Sequence, residues 1–200
     1  MSTLCYDVNS KQQIGDDKMS YTELYYITPH NKVIQCTEFH NSHRGAMLVW
    51  CNLWKTWCTE RIEELTKLNH WEPTVPFSDA DYDLVWALFK NEKVPAYTRA
   101  ILGSTFDHVI LEKEHFERFY KDVLQYAGDY AAGTLIQQAQ YILTLSKKKI
   151  VGVTWNQTSV NSDIWNGKLD LEIAWSLYKT LDEMPKKSEV DNPIQSIRQI

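Results

Sequence analysis

The chain has 200 residues, 44% hydrophobic and 24% charged, which is enough apolar material for one sizeable core, and its 7 Gly and 6 Pro are too few for a low-complexity protein. A net charge of -5 with a pI of about 5.7 argues against a dedicated nucleic-acid binder, because neutralising phosphates needs a basic face. No run of about 18 apolar residues is present for a membrane span, and the N-terminus lacks the basic-then-apolar order of a signal peptide, so a cytoplasmic protein without membrane contact is expected.

Residues 1–18 are polar and without periodicity, and read as a flexible N-terminal arm; 19–184 read as a single globular domain and the mostly polar 185–200 as a disordered tail. From Tyr21, YTELYYIT and VIQCTEF are β-rich runs separated by PHNK, where Pro29 and Asn31 suit a tight turn, so a hairpin is expected. Asn41 or Ser42 then offers an N-cap to a helix over about 43–68, on which Met47, Trp50, Trp54, Trp57, Cys58, Ile62 and Leu65 form one apolar face. Arg61 falls within that arc and is expected to snorkel. Pro73 and Pro76 break the pattern, Ser78 caps a second helix with Tyr82, Val85, Trp86 and Phe89 inward, and Pro95 opens a short third that Gly103 ends.

DHVILEK reads as a buried strand, and His115 to Ala127 as a fourth helix stopped by Gly128. A fifth helix runs through Leu135, Ile136, Ala139, Ile142 and Leu143, and KKKIVGVTWN supplies the last strand. Asp170 is the expected N-cap of a final helix with Leu171, Ala174, Trp175, Tyr178 and Leu181 inward. The expected fold class is α+β: a small, mostly antiparallel sheet, made of the N-terminal hairpin and two later strands, packed against about six helices.

Cys5, Cys36, Cys51 and Cys58 form no C-x-x-C pair, and a seven-residue helical separation of Cys51 from Cys58 spans about 10 Å, too far for a disulfide. They read as small hydrophobes in a reducing compartment. His40 and His43, with Glu38 near, have a metal-like spacing, but they straddle a strand-to-helix junction that does not fix both rings on one face. A solvated turn is the plainer reading, and neither metal nor cofactor is expected. Asp107-His108 and Glu114-His115 are raw material for acid/base chemistry, yet strand neighbours point to opposite faces, and Glu114 serves the following helix dipole.

No G-x-S-x-G elbow, P-loop or G-x-G-x-x-G is present. The enzyme alternative is a small hydrolase or nucleotide-handling enzyme built on His40, His43, Arg44 and Asp107. Lys147, Lys148 and Lys149 with Trp155 could contact phosphates and a base, but three lysines after a helix equally complement its C-terminal dipole.

Among eight tryptophans, Trp50, Trp54, Trp57, Trp86 and Trp175 lie on helical stripes and are expected in the core, whereas Trp71 and Trp165 lie in loops, where an indole serves as an interface anchor or covers the core. Trp165 is expected to insert into the core and pin the loop QTSVNSDIWNGK near Asn41 and Arg44, the alternative being an exposed anchor. Gly45 and Ala46 would let the first helical turn pass close to a neighbouring backbone, and the amides there attract anions.

The set EFHNSHRGAMLVW, STFDHVIL and TSVNSDIW resembles uncharacterised proteins of bacterial viruses and prophages, in which a hairpin leads into an N-S-x-x-G-A-x-x-V-W helix and a T-S-V-x-x-x-x-W loop closes the domain. The resemblance spans about 21–181. It implies a small accessory protein in the host cytoplasm that binds and inhibits a host protein, a defence-system component among the options. The candidate binding residues are Asn41, His43, Arg44, Trp71, Thr158, Asn161 and Trp165.

Overall fold

A computed structural model describes residues 21–40, 46–57, 79–156 and 167–184. The arm over 1–18 and the tail over 185–200 expected from the sequence lie outside the described residues, as do Arg61, Ser78 and the helix beyond Trp57.

Strands β1 (Tyr21–Ile27) and β2 (Val33–His40) form the expected antiparallel hairpin. Its turn is closed by the Asn31 amide on the Thr28 carbonyl at 3.0 Å, and Asn31 takes a left-handed φ of 58°, a conformation that Asn tolerates better than most side chains. The register shifts between Leu24 and Tyr25, where a bulge sets Cys36 apart and lets its Sγ donate to the Leu24 carbonyl at 3.2 Å.

β3 (Val109–Glu112) and β4 (Gly152–Asn156) complete the antiparallel part, and the two-residue β5 (Trp175–Ser176) pairs parallel to β3, giving the order β2-β1-β4-β3-β5. All five residues of β4 are buried, as an inner strand covered on both faces requires. A Cβ on Gly152 would lie 2.6 Å from the Leu111 carbonyl oxygen, so glycine permits the close approach of β4 to β3.

Six helices are described: α1 (Ala46–Trp57), α2 (Asp79–Lys90), α3 (Ala96–Gly103), α4 (Phe116–Asp129), α5 (Leu135–Thr144) and α6 (Leu177–Glu183). The α+β architecture expected from the sequence is therefore present, with one further strand. The main core joins the Leu24, Leu111, Val153 and Trp155 face of the sheet to the helices. A smaller cluster of Tyr25, Ile27, Val33 and Leu169 lies on the opposite sheet face, as the two-residue side-chain period demands.

On α1, Val49, Trp50, Leu53 and Trp54 are buried. The Trp50 indole donates to Thr105 Oγ1 at 2.7 Å, so its polar edge is satisfied inside the core. Asn52 donates to Tyr126 Oη at 3.0 Å and to the Ala131 carbonyl at 2.8 Å, tying α1 to α4. On α4, Phe116, Phe119, Val123 and Tyr126 form the buried stripe. Gly103 lets α3 approach its neighbours: a Cβ there would stand 2.6 Å from both Leu177 Cδ1 and Phe89 Cε2.

Several boundaries differ from the sequence expectation: β3 covers only Val109–Glu112 of DHVILEK, so Asp107, His108 and Lys113 lie outside the strand, and His115 belongs to a 3-10 turn ahead of α4. Gly128 does not stop α4, which runs on to Asp129, because a single glycine weakens a helix without ending one that packing holds. The strand expected from Lys147 is β4, which begins only at Gly152; Lys147 belongs to a 3-10 turn instead. Asp170 does not cap the final helix. Its Oδ1 accepts from the Glu172 amide at 2.9 Å and its carbonyl accepts from the Ala174 amide at 2.9 Å, which closes an isolated turn. The helix starts at Leu177 with Ser176 as its N-cap, and Leu171, expected inward, is 66% exposed.

Candidate functional site

Every binding residue proposed from sequence, Asn41, His43, Arg44, Trp71, Thr158, Asn161 and Trp165, lies outside the described residues. Of the enzyme alternative, His40 and Asp107 are described. His40 ends β2 and packs against Tyr21 with ring centroids 4.6 Å apart. Asp107 precedes β3, and β2 and β3 are three strand spacings apart, roughly 14 Å at about 4.8 Å each. The sheet order thus holds His40 and Asp107 apart.

Asp107 and His108 are used through their backbone. The Trp175 indole donates to the Asp107 carbonyl at 3.0 Å and the Trp175 amide to the His108 carbonyl at 3.1 Å, with His108 at φ 58°. Trp155, the proposed stacking partner for a base, is buried 5.6 Å from the Phe119 ring. Lys147, Lys148 and Lys149 are exposed; Lys113 Nζ donates to the Lys148 carbonyl at 2.6 Å and Lys148 Nζ lies 5.6 Å over the Tyr26 ring. Among the described residues, no three His, Cys, Asp or Glu side chains are grouped to hold a metal ion, and no helix is long and apolar enough to cross a membrane.

What the fold does assemble is an aromatic edge. Trp86 and Phe89 come from α2, Phe106 from the turn after α3, and Trp175 from β5. Trp86 stacks on Phe106 at 4.4 Å and 26°. Phe89 meets Phe106 edge-on at 5.5 Å and Trp175 at 5.7 Å, while Trp86 and Trp175 are 6.1 Å apart. These are the offset and edge geometries that the ring quadrupole favours. Phe89 is buried, whereas Trp86 remains 39% exposed with Lys90 Nζ 5.6 Å from its ring. The segment entering Trp175 carries two further exposed apolar residues, Leu171 and Ile173 at 48%. Helical spacing alone had placed Trp86 in the core; Phe106 and Trp175 fill the space in front of Phe89 and leave the Trp86 ring at the rim.

A second cluster ties α4 to α6. Tyr178, buried, donates its hydroxyl to Asp122 Oδ2 at 2.6 Å. The Arg118 guanidinium lies 4.1 Å over the Tyr178 ring and makes two parallel bonds to Asp182, at 2.7 and 2.8 Å. His115 contacts the same ring at 5.0 Å. Burial pushes the Asp122 carboxyl above the usual carboxylate range, opposed by the Tyr178 hydrogen bond, and burial also raises the Tyr178 phenol. A phenol held protonated against a carboxylate is a structural tie, with no activated nucleophile in it.

No family model, curated protein or solved structure matches the chain.

Proposed function

We propose that the chain is a binding protein that acts by occupying a surface of a host protein, with the aromatic edge as its contact. The observation that carries this reading is the Trp86 ring, 39% exposed and set on a rigid stack with Phe106 and Trp175. A pre-ordered indole offers large apolar area at small entropic cost, and tryptophan dominates interface hot spots. Leu171 and Ile173, in the segment that enters Trp175, are also exposed. The resemblance to bacteriophage and prophage accessory proteins supports a host protein, a defence component among the options, as partner and the host cytoplasm as location.

The test is retention of a partner from bacterial host lysate by tagged wild type and by Trp86→Ala, followed by titration of the purified pair. Wild type is expected to retain one specific partner, and Trp86→Ala to bind it at least about 30-fold more weakly, the equivalent of a 2 kcal/mol hot spot. The variant should lose less than about 3 kcal/mol of stability, the lower bound for a fully buried indole. Undiminished binding by a folded Trp86→Ala would move the contact elsewhere, and failure of wild type to retain any partner would remove the reading.

A further inference from the structure

The cleft between α3, α4 and α6 has a volume of about 410 Å³ and is lined by Glu92, Ala96, Arg99, Arg118, Leu181, Asp182 and Met184. Its two arginines are not equivalent. Arg118 is committed to Asp182 by the bidentate pair. Arg99, projecting from α3, is half-buried: its Nε is sealed from solvent without a hydrogen-bond partner, and among the described residues its Nη1 meets only the Met184 Sδ at 3.8 Å. A thioether is a weak acceptor, and among the described residues no acid forms an ion pair with Arg99. Glu92 acts on it only at longer range, while burial disfavours its charge. A half-buried guanidinium in a cleft wall, with one N–H sealed and unpaired, lacks the compensation such groups ordinarily have.

The lining also restricts what can supply it. The lining carries no net charge, but Asp182 is committed to Arg118, which among the described residues leaves Arg99 as the lining cation without an ion pair; one negative charge has a partner there, and a second would meet only Glu92 and Asp182. Ala96, Leu181 and Met184 supply apolar wall beside the guanidinium. A planar fork of N–H donors matches a carboxylate in two parallel bonds. We propose that this cleft binds a small organic monocarboxylate, its carboxylate on the Arg99 guanidinium and its apolar body against Leu181 and Met184. The site shares no residue with the aromatic edge, so the two readings stand or fall separately.

The test is an NMR titration of the full chain with hexanoate, hexan-1-ol and inorganic phosphate, following the Arg99 Nε–H and the Leu181 and Met184 methyl resonances. Hexanoate should shift all three saturably, with a dissociation constant on the order of 1 mM for so small a ligand. Hexan-1-ol should bind roughly ten-fold or more weakly, because it lacks the charge-assisted bonds, and phosphate should not compete. Arg99→Gln should weaken hexanoate by a similar factor, and Arg99→Lys, which keeps charge but loses the fork, should fall between. The proposal is overturned if wild type shows no saturable shift at Arg99, if hexan-1-ol binds as well as hexanoate, if phosphate displaces it, or if a folded Arg99→Gln binds unchanged. The wild-type titration decides the matter even where a variant fails to fold.

Discussion

Asp122 on α4 has its Oδ2 2.6 Å from the Tyr178 hydroxyl, and burial raises its pKa against the opposing pull of that bond and of Arg118. The folded protein therefore keeps this proton to a higher pH than the unfolded chain does. The resulting stabilisation is fully present below about pH 4, the ordinary carboxylate value, and is lost as the pH rises through the raised folded value. Asp122→Asn abolishes the titration while leaving an amide oxygen to accept from Tyr178. Urea unfolding of the two proteins at intervals from pH 4 to 7 is expected to show wild type losing stability relative to the variant as the pH rises. A difference that does not change with pH would exclude Asp122 as its source. The pair was not legible in the sequence, because its partners are 56 residues apart and neither belongs to an adjacent acid–histidine pair.

The last helix shows how tertiary structure moves a cap from the expected Asp170 to Ser176. Asp170 and Ser176 both carry a side-chain acceptor ahead of an apolar run, and local chemistry gives either the role. Tertiary structure assigns it to Ser176, whose Oγ accepts from the Lys179 amide at 3.3 Å, because Trp175 is drawn into parallel pairing with Val109 and its extended backbone precludes a helix there. Ser176→Ala should cost about 1 kcal/mol, the usual value of an N-cap. Asp170→Ala, which opens only an exposed turn, should stay within about 0.5 kcal/mol. Chemical denaturation of the two variants checks the order, and a larger loss in Asp170→Ala would reverse the assignment. α4 follows the same logic, since the packing of Phe119, Val123 and Tyr126 outweighs the intrinsic cost of Gly128.

For the molecule as a whole, the position of β4 matters most. It pairs with β1 on one side and β3 on the other, so among the described residues the N-terminal hairpin joins the rest of the sheet through residues more than a hundred positions later. Val153 and Trp155 on this strand are buried in the main core. Removing a valine and a tryptophan from such a site costs on the order of 5 kcal/mol or more, comparable to the entire stability of an ordinary domain. A chain ended at Lys149 is therefore expected to lose its near-UV circular dichroism and its cooperative urea transition. Retention of a sharp transition would mean that the hairpin or the helices form an independent unit.

Periods and punctuation in the sequence determined the hairpin with Asn31 at its turn, the strands around Val109 and Val153, Trp50 and Trp54 on the buried side of α1 but not Val49 and Leu53 beside them, the helices α4 and α5, and hence the α+β class. Those signals are local, carried by side-chain spacing of two or about 3.6 residues and by residues whose own backbone preference suits a turn or cap. Sequence spacing could not order the strands, find the parallel β5, or assemble Trp86, Phe106 and Trp175 on one edge and Arg99, Arg118 and Asp182 around one cleft. Each of these joins residues from different elements. Their meeting depends on which apolar faces exclude water together, a long-range balance that only the packed tertiary structure decides.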